Sequence, residues 1–179
     1  MSVFIEQTKF QADHNHMIAD LETVLALHPW ANSNQIALRH RTGAENEWLD
    51  AVGSFYDYDN NVYLAQEAEF SNWNQDVPEY TKNQIIALAE QQRFDVGRVR
   101  YMRLLPKTGL TVHTDSNVRF HYVLTTNPFS YVCVSKNTGM AFCQHVPANG
   151  IFYKVDTRLE HFVYNGGKTE RIHLVICAA

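Results

Sequence analysis

The second half of the chain is punctuated with unusual regularity, and that rhythm restricts the fold more than any other feature. After Gly97, short runs rich in Val, Ile, Phe, Tyr and Thr alternate with turn residues at Pro106–Gly109, Asn127-Pro128, Asn137–Gly139, Asn149-Gly150 and Asn165-Gly166-Gly167. The runs predict strands at Val99–Leu104, Leu110–His113, Val118–Thr125, Ser130–Ser135, Met140–His145, Ile151–Val155, His161–Tyr164 and Arg171–Cys177. No helix-length segment separates one strand from the next, so a parallel sheet built from βαβ units is excluded. Short strands at near-regular spacing instead close into a sandwich or jelly roll.

Before residue 95 the texture differs. Ile18, Leu21, Val24 and Leu25 fall at helical spacing up to His28-Pro29, and a second helix follows Pro78-Glu79 with Ile85, Ile86, Leu88 and Ala89. Gln35–His40 reads as a strand and Gly43–Gly53 as a surface loop. The fold expected is α+β, mainly β: a double-stranded β-helix of the jelly-roll or cupin-like kind, with the N-terminal helices packed on one sheet. A chain of 179 residues without repeats or a Gly/Ser linker reads as a single domain, 1–179, with a helical and loop portion over 1–95 and the β core over 96–179.

Composition narrows the partners. The chain is 45% hydrophobic with a net charge of −4 and no Lys/Arg run, which argues against a tightly held nucleic acid and against disorder. No apolar stretch is long enough for a membrane span, and the N-terminus does not read as a signal peptide. Cys133, Cys143 and Cys177 form no CxxC motif and lie in apolar, strand-like runs. They are expected as buried reduced thiols, which makes a cytoplasmic location the default.

Chemistry concentrates in the β half. His113 and Asp115 stand two residues apart, which places both on one side of an extended segment. A further histidine, His161, enters a later strand and can close a three-ligand face on a metal ion. Two imidazoles, one carboxylate and three open positions suit mononuclear non-haem Fe(II), and zinc accepts similar ligands. Arg119 and His121 share one face of a strand, as do Arg171 and His173. An arginine facing a sandwich core needs either an internal acid, such as Asp156 or Glu160, or a bound anion. His14, His16, His28 and His40 are expected at the surface or locally hydrogen-bonded, and His145 and His173 as packing or hydrogen-bonding residues.

Three ordered blocks carry a resemblance: Val99-Arg-Tyr-Met-Arg-Leu-Leu-Pro-Lys-Thr-Gly-Leu-Thr-Val-His-Thr-Asp115, Arg119-Phe-His121, and Gly150-Ile-Phe-Tyr-Lys-Val-Asp156 followed by His161 and Arg171-Ile-His-Leu-Val. In these the chain resembles the aspartyl/asparaginyl β-hydroxylase family of Fe(II)/2-oxoglutarate-dependent dioxygenases, which includes some proline hydroxylases. The resemblance implies His113, Asp115 and His161 as iron ligands and Arg171 on the distal carboxylate of 2-oxoglutarate. It also implies Arg119 and His121 near the metal-proximal carboxylate. It departs from the family at two places. The turn Pro106-Lys-Thr-Gly109 displaces a glycine, and Met102 stands where the animal member has a co-substrate-binding serine, leaving Tyr101 and Tyr153 as unranked replacements.

The implied activity is hydroxylation of an amino acid, free or within a peptide (Asp/Asn or Pro type), using Fe(II), 2-oxoglutarate and O2, with ascorbate as reductant. The presence of Asp115 favours hydroxylation over halogenation, which needs that coordination position open. Competing expectations are a cupin-like metal-dependent isomerase or hydrolase that ignores 2-oxoglutarate, and a non-catalytic jelly-roll binding module. Trp30, Asn32, Arg39, Arg41 and Trp48 are the residues expected to line the substrate entrance.

Overall fold

The protein is described here by a computed structural model covering residues 4–30, 33–57, 59–136 and 140–179. The turn expected at Asn137–Gly139 and the entrance residue Asn32 lie outside the described residues. Strand β1 (Ile5–Gln11) is followed by helix α1 (His14–Leu27) and by short strands β2 (Gln35–Ala37), β3 (Arg39–His40), β4 (Tyr56–Asp57) and β5 (Val62–Tyr63). A 3₁₀ turn (Glu67–Glu69), β6 (Asn72–Trp73) and helix α2 (Glu79–Gln92) complete the mixed half. Eight strands then follow: β7 (Val96–Leu104), β8 (Thr108–Gly109), β9 (Arg119–Thr125), β10 (Ser130–Lys136), β11 (Met140–Gln144), β12 (Ile151–Val155), β13 (His161–Asn165) and β14 (Arg171–Ala178).

The chain gathers into two compact units, Met1–His14 with Met102–Val175, and Asn15–Tyr101 with Ile176–Ala179. The first holds two sheets, with strand orders β1-β12-β9-β14 and β11-β10-β13-β8. Its core comes from one face of each: Ile5, Val123, Tyr153 and Val155 on the first, Val132, Val134 and Val163 on the second. Those positions alternate along their strands, as a sandwich requires. This is the double-stranded β-helix that the strand rhythm predicts.

Strand β1 has no counterpart in the sequence expectations. Its run Ile-Glu-Gln-Thr-Lys-Phe-Gln is mostly polar, and only Ile5 and Thr8 are buried. An edge strand needs few apolar residues when its backbone pairs with a neighbour, here Ile5 with Val155 and Glu6 with Lys154. The strand expected at Leu110–His113 is displaced. Regular pairing occurs at Thr108–Gly109 instead, and His113 contributes only an isolated bridge to His161.

In the second unit α1 and α2 bury Met17, Leu21, Val24, Ile85 and Leu88. The inward face of α1 is rotated from the expected one: Met17 and Asp20 are buried, while Ile18 and Leu25 are only partly so. Asp20 is tolerated there because it accepts hydrogen bonds from Thr81 N at 2.9 Å and Thr81 Oγ1 at 2.7 Å. Within this unit Leu38 N donates to Val99 O at 2.7 Å.

The cysteine expectation is corrected. Cys133 and Cys143 are directly opposite on β10 and β11, with Cα atoms 4.0 Å apart, and they form a disulfide. Only Cys177 remains free and buried. The argument from reduced thiols to a cytoplasmic location therefore loses its support. Among the described residues no helix is long and apolar enough to cross a membrane.

Candidate metal centre and anion pocket

The first unit brings His113, Asp115 and His161 together. His161 opens β13, and His113 pairs with it through backbone hydrogen bonds in both directions, 3.0 Å from His113 N and 2.9 Å from His161 N. Asp115 lies in the segment between β8 and β9, where its N–H donates to Thr157 O at 2.8 Å. Thr157 is itself tied down, its hydroxyl donating to Asn117 O at 2.6 Å. Three residues from two distant places in the chain are thus held by backbone contacts that do not use their functional atoms.

The hydrogen bonds also settle the ring states. His113 Nδ1 lies 2.8 Å from Thr111 O, and His161 Nδ1 lies 2.9 Å from Leu159 O. A carbonyl only accepts, so both rings carry a proton on Nδ1 and present bare Nε2 lone pairs when neutral. Burial pulls His161 below its usual 6.5, which favours that neutral form. His161 Nε2 stands 3.5 Å from Asp115 Oδ2, and His113 Nε2 stands 3.9 Å from Asp115 Oδ1. One ligand atom from each residue lies within 4.8 Å of the others. Asp115 Oδ2 is buried and accepts no hydrogen bond, an unsatisfied oxygen that a cation would satisfy. The donor set therefore fits a divalent metal ion bound on one face, with the opposite positions open.

Arg119 and His121 project from β9, and Arg171 and His173 from β14, as the alternation predicts. Arg119 does not stand open to an anion, because its Nη2 donates to Asp115 Oδ1 in an ion pair. Arg171 is different. Its residue is 5% exposed, and among the described residues no carboxylate pairs with it. Asp156, one acid considered as a partner, is taken by Arg158 at 2.7 and 2.9 Å. Burial pulls the Arg171 guanidinium down from 12.5 to about 9. Its Nη2 lies 2.9 Å from His173 Nδ1, which in turn lies 3.2 Å from His121 Nδ1. Burial, and then the charges of Arg171, His121 and His145, hold His173 far below its ordinary value, so it is neutral.

His173, expected as a packing or hydrogen-bonding residue, is hydrogen-bonded to Arg171 and His121. Its spacing from Arg171 was visible, but nothing in the sequence distinguishes an acceptor for a guanidinium from a packed imidazole. Of the two tyrosines named as helpers, Tyr153 has its hydroxyl engaged by Asn149 at 2.9 Å, and Tyr101 lies in the second unit. The entrance residues named from sequence that are described here also belong to the second unit. There Arg41 pairs with Asp50 at 2.6 Å, Arg39 donates to the carbonyls of Gly97 and Ser71 at 3.1 and 2.8 Å, and Trp48 stacks on His28.

A double-stranded β-helix with a His-Asp-His cluster defines a class, the jelly-roll metal enzymes, and the comparisons agree with the fold. A 2OG-Fe(II) oxygenase family oxidoreductase from Burkholderia pseudomallei superposes with a TM-score of 0.61 at 14% identity, over 99% of this chain and 85% of that one. A prolyl hydroxylase from Trichoplax adhaerens, solved with a hypoxia inducible factor peptide fragment, gives 0.54 at 12% identity, covering 99% and 84%. The Pseudomonas putida prolyl-4-hydroxylase gives 0.54 at 10% identity, covering 99% and 92%. No curated protein matches the chain. The family model for aspartyl/asparaginyl beta-hydroxylase matches residues 11–178, and the chain belongs to that family. It is a hydroxylase on a fold shared with 2OG-Fe(II) oxygenases.

Proposed function

We propose that the protein hydroxylates an amino acid, free or within a peptide, with His113, Asp115 and His161 holding Fe(II) and Arg171 binding the distal carboxylate of 2-oxoglutarate. The observation that carries this reading is Arg171, a fully buried cation with no acid partner among the described residues, in the same compact unit as the three converging ligands. Iron, with 2-oxoglutarate and dioxygen as co-substrates, supplies the oxidation of an unactivated C–H bond, yielding succinate, carbon dioxide and the hydroxylated product.

The chain's own residues do the binding and orienting. His113 and His161 are held with Nε2 inward by their Nδ1–H bonds to Thr111 and Leu159. Asp115 divides its two oxygens, one toward Arg119 and one toward the metal position. Arg171 supplies a desolvated positive charge whose attraction for a carboxylate is strengthened by the low-dielectric surroundings. His121 stands beside this pocket, its ring turned toward His173. Asp115 fills the position that halogenation needs open, so hydroxylation is the reaction favoured. Ascorbate serves to keep the iron reduced. Two structural neighbours are prolyl hydroxylases by name, so proline joins aspartate and asparagine among the residues to test.

The experiment is succinate formation in the presence of Fe(II), 2-oxoglutarate and ascorbate, screened against free amino acids and short peptides. Expected is turnover with one substrate class, abolished by omitting iron or 2-oxoglutarate. Turnover of a substrate that proceeds unchanged without 2-oxoglutarate overturns the proposal in favour of another metal enzyme.

A further inference from the structure

We infer that His173 is a positioning residue for the anion pocket, the single acceptor that orients both Arg171 and His121. The inference rests on the reading of Arg171 as the 2-oxoglutarate anchor and adds a residue to it. A guanidinium can only donate, so the 2.9 Å contact from Arg171 Nη2 makes His173 Nδ1 an acceptor. That assignment propagates. With His173 Nδ1 carrying no proton, the 3.2 Å contact to His121 Nδ1 requires His121 to be the donor. Two donors therefore converge on the one lone pair of His173 Nδ1, the shorter contact from Arg171 and the longer from His121, which sets two tautomers: His173 protonated on Nε2, His121 on Nδ1.

The arrangement follows from strand geometry. Arg171 and His173 are two apart on β14 and share a face, while β9, carrying His121, is the neighbouring strand. Both histidines and the arginine are buried, at 1%, 7% and 5% exposure. Solvent therefore does not compete for these donors. A long guanidinium chain has several rotamers, and a fixed acceptor on one nitrogen removes most of them before an anion arrives. The neutral state of His173 matters as well, because a protonated ring would lose the acceptor and set a second cation beside Arg171.

The test uses the full-length protein loaded with Zn(II), which is diamagnetic and does not turn over. Long-range ¹H–¹⁵N correlation spectra report imidazole tautomers directly. His173 is expected as the Nε2–H form and His121 as the Nδ1–H form, without any co-substrate. A His173 ring protonated on Nδ1, or on both nitrogens at pH 7, overturns the proposal independently of what the enzyme binds.

Calorimetry with 2-oxoglutarate then compares variants. His173→Leu removes the acceptor and is expected to weaken binding about tenfold or more, the effect of losing a hydrogen bond to a charged group. His173→Asn places a carbonyl oxygen with two lone pairs close to the position of Nδ1 and is expected to bind within about threefold of the wild type. If His173→Leu fails to retain Zn(II), His173→Gln replaces it, since its longer side chain carries the oxygen past the Nδ1 position. In the iron enzyme the Leu or Gln variant is expected to raise KM for 2-oxoglutarate while leaving kcat at saturation nearly unchanged. Equal affinity in wild type and His173→Leu refutes the positioning role, as does an Asn variant as weak as the Leu variant. Failure of the wild type itself to bind 2-oxoglutarate refutes the underlying reading, while the tautomer spectra still report on the hydrogen-bond assignment.

Discussion

Replacing Arg171 with methionine is expected to make the ligand-free protein more stable while abolishing its response to 2-oxoglutarate. Burial lowers the guanidinium from 12.5 to about 9. At about 1.4 kcal/mol per unit, keeping this group charged costs the folded protein roughly 5 kcal/mol. The sign follows from proton counting. Between about pH 9 and 12.5 the unfolded chain holds a proton that the folded chain has released, so stability rises with pH across that window. At neutral pH both states are charged and the whole penalty is present. Arg171→Met removes the charge and keeps an unbranched chain. It also forfeits the hydrogen bond to His173 and some packing, leaving a net gain of about 1–3 kcal/mol. For a protein of this size that corresponds to a rise in Tm of roughly 3–10 °C. The assay is thermal unfolding of the Zn(II)-loaded proteins by circular dichroism, with and without 2-oxoglutarate. At a hundred times its Kd the co-substrate stabilises the wild type by about 2.7 kcal/mol and the variant not at all. A variant less stable than the wild type without co-substrate would show that the guanidinium is already compensated, and the reasoning would fail.

Three further outcomes are expected. Asp115→Gly should weaken metal binding about a hundredfold or more, read by Co(II) titration; unchanged affinity would remove Asp115 from the ligand set. Glu67→Gln should cost about 3 kcal/mol at pH 7, because it leaves the buried Arg98 guanidinium, 2.7 Å away, without this carboxylate. Burial pushes the Glu67 carboxyl up, but the hydrogen bonds and charge of Arg98 outweigh it and hold the group below 4.5. The advantage of the wild type is therefore fully present above pH 4.5 and disappears as pH falls through the folded value, so urea midpoints of the two proteins should converge in acid; a pH-independent gap would contradict the pairing. Cys143→Ser opens a disulfide spanning 10 residues of sequence and should lower unfolding free energy by about 2–3 kcal/mol, with equal denaturation curves as the contrary result.

Much of this was legible beforehand, for identifiable reasons. The apolar strands β9, β12 and β14 announced themselves because both of their faces are buried, and the turn residues between them have few other uses. Arg171 stands out as a candidate anion anchor because a cation on such a strand has no cheap alternative. Strand β1 escaped notice because backbone pairing, not side-chain burial, holds it in place. The displaced β8 reflects the segment 110–118, where His113 and Asp115 are held by isolated contacts to His161 and Thr157 instead of a regular ladder. A metal face built from such contacts leaves no periodic trace. The disulfide was recoverable in principle: Cys133 and Cys143 lie five residues either side of Thr138, at the centre of an expected hairpin turn. Equal distances from a turn place residues opposite one another in the hairpin.

The division of the chain between the two units has a consequence for how the protein is made. The first unit joins Met1–His14 to Met102–Val175, and its outermost pairing sets Ile5 against Val155, while the second waits for Ile176–Ala179. Neither unit can close until its distant segments have both been made, whatever the order in which local hairpins form. Ile5 must survive as an unpaired edge until Val155 is available, a non-local pairing of the kind that slows folding and invites chaperone binding. His161 likewise joins His113 and Asp115 across a long stretch of chain, so the three candidate ligands come together only after β13 has been made.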